Sequence, residues 1–245
     1  MVTGTASLAA NTSLAANTSQ EDALAHLPCS AVVEYRKGST IYDRSQPSKG
    51  LYLVIEGRVK VSRYDDTGHE VVVDLYQADE FFGESGFLNL GCDSDEATAF
   101  EDTKVMAWTA ADLEMLAIRQ PRLGIALLQV LVRRNVDLTN RVVSLAVDDI
   151  ARRMARTLIR FSDRMGTLAA DGTVQMIPIT HEVLSQYVGT SREVVTLHMN
   201  RFRRHDCMRY SRKGLVLNRA ALCEWLGSGN SATSRNPSGK AGQPR

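Results

Sequence analysis

The sequence predicts an α+β protein: an N-terminal antiparallel β jelly-roll barrel, a long dimerisation helix and a C-terminal winged helix-turn-helix. Three observations carry this. Between residues 31 and 109, short runs rich in β-branched and aromatic residues alternate with turns containing Gly and Asp. Beyond Pro121, leucines recur at heptad spacing. From residue 179 to 217, two amphipathic helices separated by a glycine precede a basic hairpin.

Composition sets the outer limits. A chain of 245 residues can hold one large or two modest domains, each with its own core. The formal net charge of +1 is unevenly spread. Residues 30–118 hold 8 Lys/Arg against 17 Asp/Glu, a net of −9, while residues 150–226 hold 13 against 6, a net of +7. Only the basic part suits phosphate. Cys29, Cys92, Cys207 and Cys223 show no CxxC spacing, which indicates neither a disulfide framework nor a zinc site. No signal-peptide pattern and no bilayer-length apolar run is present, so a soluble cytoplasmic protein with no membrane partner is expected.

Each element has its reason. Residues 7–19 contain SLAANT twice and bury little, so a disordered tail is expected over 1–20. A short helix is expected at 21–27, ended by Pro28. Strands are expected at 41–42, 51–55, 59–63 and 71–75, punctuated by Gly38, Gly50, Gly57, Gly68 and Asp79, and the barrel domain is set at 21–119. Helix resumes at Ala110–Arg119, and Pro121 suits the first position of the long helix, set at 120–148. Leu131, Leu138 and Leu145 lie seven apart, with Leu127 and Val142 beside them, as in a seam between two subunits. The alternative is a helix packed on its own barrel, and Arg134 and Arg141 interrupt one side of the stripe. Asp148-Asp149 is the expected hinge, followed by an amphipathic helix at 150–163 and a loop at 166–172. The Gly/Ser/Asn/Pro-rich tail over 227–245 is expected to be unstructured.

The richest stretch lies in the domain expected over 149–226. Thr180 is a good N-cap, Val183, Leu184 and Tyr187 form an apolar stripe, and Gly189 supplies the turn. Ser191 can cap the next helix; alternatively, Thr190 and Glu193 form a capping box. Val195, Met199 and Phe202 mark its buried face. The opposite face carries Arg192, Glu193, Thr196 and Asn200, which can hydrogen-bond to base edges. Arg201, Arg203, Arg204, Arg209, Arg212 and Lys213 crowd around the hairpin. Two packed helices with a solvated polar face would explain part of this pattern, but DNA binding explains cap, turn, split faces and basic hairpin together. The expected backbone contacts are Thr180, Ser191, Arg201, Arg212 and Lys213. Glu193 has a second reading as a carboxylate capping its own helix.

Over roughly residues 31–225 the chain resembles the Crp/Fnr family of bacterial transcription regulators. GLYLVIEGRVKV…DEFFGESGFL is similar to that family's cyclic-nucleotide-binding-type barrel, and SREVVTLHMNRF to its recognition helix. The resemblance implies a homodimer on a near-palindromic promoter site, with half-site centres about 34 Å apart and RNA polymerase as a further partner. It places Arg192 and Glu193 on the family's first two base-contacting positions. The family then has Ser or Gly followed by Arg, where this chain has Thr196 and Leu197. Leu197 cannot donate a hydrogen bond but can touch a thymine methyl, so a half-site related to, but different from, TGTGA or TGTCA is expected.

Family members that bind cyclic AMP clamp its phosphate with an Arg and a neighbouring Ser or Thr, downstream of a Gly-Glu pair. The pair is kept as Gly83-Glu84, and with Ser85 it marks the expected effector pocket. The clamp positions fall around residues 93–96, where every charge is negative. From residue 64 to 103 there is no Lys or Arg against 12 Asp/Glu, which opposes a cyclic phosphate. An effector other than cyclic AMP is therefore expected, cyclic-AMP control being the alternative, and no cofactor is identifiable. Cys29 alone cannot hold an iron–sulfur cluster, and His26 and His69 offer poor haem ligation. His198, His205 and Cys207 are read as ordinary packed or surface residues.

Two other classes compete. A cupin-type enzyme needs several histidines around one metal, and the barrel strands and turns offer only His69. No nucleophile elbow, Walker loop or HExxH occurs either, so no catalysis is expected. A ligand-binding module with a vestigial helix-turn-helix would have no use for Arg192, Glu193 and the wing cations together.

Overall fold

The computed structural model describes residues 21–87, 95–211 and 214–228. Both expected disordered tails fall outside these residues, except that residues 227–228 belong to a helix. Arg212, Lys213 and residues 91–94 of the expected phosphate-binding segment also lie outside them.

The barrel consists of β1 (Val32–Tyr35), β2 (Thr40–Tyr42), β3 (Gly50–Glu56), β4 (Arg58–Tyr64), β5 (Glu70–Gln77), β6 (Phe81–Phe82), β7 (Asp95–Ala99) and β8 (Thr103–Thr109). They form two four-stranded antiparallel sheets, ordered β1-β8-β3-β6 and β2-β7-β4-β5. This is the jelly roll that the strand spacing predicted, and the expected strands correspond to β2, β3, β4 and β5. Gly57 turns β3 into β4 at φ +83°, where a Cβ would meet the Asp102 carbonyl oxygen at 2.4 Å. Val54, Val59, Val61 and Phe82 fill the space between the sheets.

The helix expected at 21–27 shrinks to one 3₁₀ turn, Ala23–Ala25, capped by Asp22. Buried Ala23 packs with Leu51 and Trp108, so contact with the barrel holds the turn. α1 (Ala110–Arg119) opens with a Thr109–Asp112 capping box, and α2 (Pro121–Val147) opens on its proline. One face of α2 packs on its own chain: Leu123 and Ala126 are buried, and Leu127 packs with the Ala126 cluster toward the barrel. Leu128, Leu131, Val132, Leu138, Val142 and Leu145 stay exposed. Arg134 and Arg141 point toward the barrel, not into that exposed stripe.

α3 (Ile150–Met165), α4 (His181–Val188), α5 (Arg192–Arg204) and α6 (Arg219–Ser228) build the C-terminal part. Its sheet is ordered β11-β12-β10-β9, from β9 (Thr167–Leu168), β10 (Val174–Met176), β11 (Met208–Ser211) and β12 (Gly214–Leu217). The expected loop at 166–172 is thus partly strand: β9 pairs with β10, whose buried Val174 and Met176 face the core. α6 was not legible in the sequence and carries helix to Ser228.

The two halves are firmly joined. Val72 and Leu75 of β5 belong to the same apolar cluster as Phe161, Leu184 and Phe202. Around them, Arg164 pairs with Asp74 at 2.9 Å and Glu80 at 2.7 Å, and Arg160 reaches Asp74 at 3.4 Å. Arg141 donates to the Val73 carbonyl and lies 4.1 Å over the Tyr187 ring. Gln186 donates to Glu70 at 2.9 Å.

The hinge is an ionic knot. Asp148 ends α2, Asp149 caps α3, and the Asp148 carboxylate accepts from Ser144 at 2.7 Å, Arg152 at 3.1 Å and Arg156 at 2.8 Å. Burial works against its ionisation, but the Ser144 hydroxyl and the two guanidinium groups prevail and hold its pKa below the usual carboxylate range. A depressed folded-state pKa gives stability that is present above the unfolded pKa and lost as pH falls through the folded value. Thermal melts from pH 7 down to pH 2 should therefore show Asp148→Asn losing less stability on acidification than the wild type. Parallel acid limbs would contradict this.

Candidate nucleic-acid interface and effector region

The α4–α5 pair is set by three local devices. The Thr180 hydroxyl accepts from the Val183 N–H at 3.2 Å and starts α4. Gly189 ends it in the left-handed region at φ +74°. Ser191, not Thr190, caps α5, accepting from the Val194 N–H at 3.4 Å. At this terminus the Glu193 backbone N–H and the Ser191 hydroxyl lower the Glu193 pKa. The Glu193 side chain itself stays exposed.

Val195, Met199 and Phe202 are buried, as the periodicity predicted. Arg192, Glu193 and Leu197 are exposed, and Thr196 and Asn200 are half-buried on the same outward arc. Leu197 is 65% exposed and stands opposite the buried stripe. Arg201 lies 5.6 Å over the Trp225 ring, so its stem is braced while its charge stays at the surface. Arg203 and Arg204 are exposed, and Arg209 faces Asp171 at 3.6 Å.

One functional group escaped the sequence reading. His181, the first residue of α4, joins both neighbouring elements: Nδ1 lies 2.8 Å from the Thr196 hydroxyl and Nε2 lies 2.9 Å from the Tyr210 hydroxyl. Burial, and secondarily Arg192, lower its pKa, which favours the neutral ring. The partners are 15 and 29 residues away, so no local pattern announces them. His198 is half-buried and its pKa is lowered by burial and Arg201. Cys207 is buried, its Sγ 3.5 Å from the His205 carbonyl oxygen; burial and Asp206 push the thiol pKa up, away from the reactive thiolate.

In the barrel, Gly83 adopts φ +84° and is held by Ser48, which donates to its carbonyl at 2.7 Å; a Cβ there would lie 2.5 Å from the Tyr52 ring. Gly83 is therefore required by the turn itself. Glu84 pairs with Arg134, which also donates to the Phe81 carbonyl and lies 4.9 Å over the Tyr76 ring. Ser85 is half-buried beside them. An arginine from the long helix thus does reach this segment, where the run from residue 64 to 103 has none. The Phe82 ring stacks with Tyr42 and Tyr52 at 6.1 and 5.2 Å and meets Tyr76 tilted at 5.7 Å, putting aromatic rings around the Gly83 turn. In the clamp segment, Asp95 is paired with Arg63.

A jelly-roll barrel, a long connecting helix and a winged helix-turn-helix together define a two-domain DNA-binding regulator. Residues 32–120 match the model of the cyclic nucleotide-binding domain, and residues 152–225 match that of the Crp-like helix-turn-helix domain. The cAMP-activated global transcriptional regulator CRP of Haemophilus influenzae is 32% identical over 167 residues, covering 66% of this chain and 72% of that one. A CRP-like cAMP-activated global transcriptional regulator of Mycobacterium tuberculosis is 26% identical over 185 residues, 76% of this chain and 83% of that one. Among solved structures, FixK2 from Bradyrhizobium japonicum superposes with a TM-score of 0.69 at 20% identity, covering 80% of this chain and 97% of that chain. The chain belongs to the Crp/Fnr family of transcription regulators. No helix among the described residues is long and apolar enough to cross a membrane.

Proposed function

We propose that the protein is a homodimeric, sequence-specific transcription regulator that places α5 of each subunit in a major groove of a near-palindromic promoter site. The observation that carries this is the outward face of α5: Arg192, Glu193, Thr196, Leu197 and Asn200 on one arc, opposite a fully apolar one. Arg192 can pair bidentately with guanine, and Glu193 can accept from cytosine. Thr180, Ser191, Arg201, Arg212 and Lys213 are assigned to the phosphate backbone. In this reading residues 21–119 sense, 120–148 dimerise and 149–226 bind DNA. Such a protein works in the cytoplasm, where it meets both promoter and RNA polymerase.

Selection of binding sites from random duplex DNA tests this, with a half-site related to but different from TGTGA expected. On the selected site, Arg192→Ala should cost about 1–3 kcal/mol and relax one base position. Lys213→Ala should weaken all duplexes alike and flatten the salt dependence. Recovery of an unmodified TGTGA half-site, or no sequence preference in low salt, would reject the reading.

Dimerisation is assigned to the exposed stripe of α2, where Leu128 is 60% and Val142 is 63% exposed. Leu131, Leu138 and Leu145 flank it; Leu127, which packs with its own barrel, belongs at most to the edge. In sedimentation, Val142→Glu should shift dimer to monomer, and DNA affinity should fall more than 10²-fold as the two half-sites lose their linkage. An unchanged dimer would place the interface elsewhere.

We assign the barrel to an effector other than cyclic AMP. Arg134 is already engaged by Glu84 and the Phe81 carbonyl, and the segment around it is acidic. The names of the relatives in H. influenzae and M. tuberculosis favour the second reading, cyclic-AMP control. Melting with cyclic AMP decides between them. A ligand present at a hundred times its Kd adds about 2.7 kcal/mol, so an unchanged midpoint is expected, and a rise of several degrees would favour cyclic AMP.

A further inference from the structure

The hydroxyl of Thr196 has little left to offer a base. It donates to the Arg192 carbonyl at 2.9 Å, so toward His181 Nδ1, 2.8 Å away, it must act as acceptor. Nδ1 then carries the ring proton, and Nε2 accepts from the Tyr210 hydroxyl at 2.9 Å. The chain of bonds runs one way, from Tyr210 through His181 and Thr196 to Arg192, with each of these protons placed. It spans the wing strand β11, the start of α4 and the recognition helix, so it also fixes where Thr196 can turn. With its proton spent, Thr196 cannot donate to guanine O6 or N7; what it keeps for a base is one acceptor lone pair and its methyl.

Beside it, Leu197 is 65% exposed at the crest of α5, between Glu193 and Arg201 on the helix surface. An apolar side chain in that position gains only if something apolar covers it. In the major groove, thymine C5-methyl is the apolar group that bases present.

We infer that Thr196 and Leu197 read thymine methyl groups, with His181 and Tyr210 as positioning residues that keep the Thr196 proton from donating to a base. This rests on the DNA-binding reading above and specifies what two of the five residues of the recognition face take. A pair of thymines, or a thymine on each strand, should lie opposite these residues, next to the positions read by Arg192 and Glu193.

The test replaces each thymine of the selected half-site, one at a time, by deoxyuridine, which keeps pairing and every hydrogen-bonding edge and removes only the methyl. Fluorescence anisotropy with the full-length protein should show about a 3- to 10-fold loss at one or two thymines. Leu197→Ala should bind more weakly to the thymine site and lose most of the thymine–uracil difference; Leu197 is exposed, so its replacement leaves the core intact. Thr196→Val, which keeps a methyl, should stay within about 2-fold of wild type, whereas Thr196→Ser, which keeps only the hydroxyl, should lose affinity at thymine and not at uracil. His181→Ala frees the hydroxyl and should change the preferred base opposite Thr196, an effect that mere loosening of the domain would not produce. Selective binding with no uracil effect anywhere, or Thr196→Val impaired while Thr196→Ser is silent, overturns the inference and leaves the DNA-binding reading standing. Absence of selective DNA binding removes both.

Discussion

Arg164 is the point on which the two halves of the molecule turn. It emerges from α3, the first helix of the winged domain, and is taken up by Asp74 and Glu80 of the barrel and by the Leu75 carbonyl. Its side chain and that of Asp74 are 17% and 11% exposed. Separating the domains would break these charge-assisted hydrogen bonds and expose Val72 and Leu75 to water, and removing one partner with the domains in place would leave a sheltered, uncompensated charge. Arg141 adds a second tie from α2, bonded to β5 and stacked on Tyr187. The winged helix is therefore seated against one particular barrel strand, β5, which meets both α3 and α4.

In the proposed function, that seating is the route from the barrel to the recognition helix. β5 carries Asp74 toward α3 and Tyr76 toward Arg134, and Arg134 holds Glu84 at the turn expected to face an effector. A ligand that alters the Glu84–Arg134 pairing would act on the same strand that holds the DNA-binding domain. It shifts the arrangement only by as much as it prefers one over the other. α2 runs past both points, which makes it the shared strut of barrel, winged domain and proposed dimer seam.

Local chemistry was legible in the sequence, and long-range chemistry was not. Thr180, Gly189 and Pro121 announced helix ends because caps and turns depend on adjacent residues. The Val195–Met199–Phe202 stripe announced the buried face of α5 because its spacing is helical. By contrast, His181 meets Thr196 and Tyr210, and Arg164 meets Asp74 across 90 positions, only through the tertiary fold. Arg134 and Arg141 looked like flaws in an apolar stripe; their separation of seven residues puts them on one face, and that face is turned to the barrel. Short elements failed for a related reason. The 3₁₀ turn at Ala23–Ala25 and the β9–β10 pair are held by packing and pairing, with too few residues for propensity to speak.

In the proposed complex the outward arc of α5 lies in a DNA groove. A photoreactive side chain introduced at position 197, the crest of that arc, reports directly on what it touches. Irradiation with the selected duplex is predicted to crosslink the protein to a base in the major groove of each half-site, at one position, with competition by unlabelled site and loss in high salt. Crosslinks only to protein, or to DNA without regard to sequence, would contradict it.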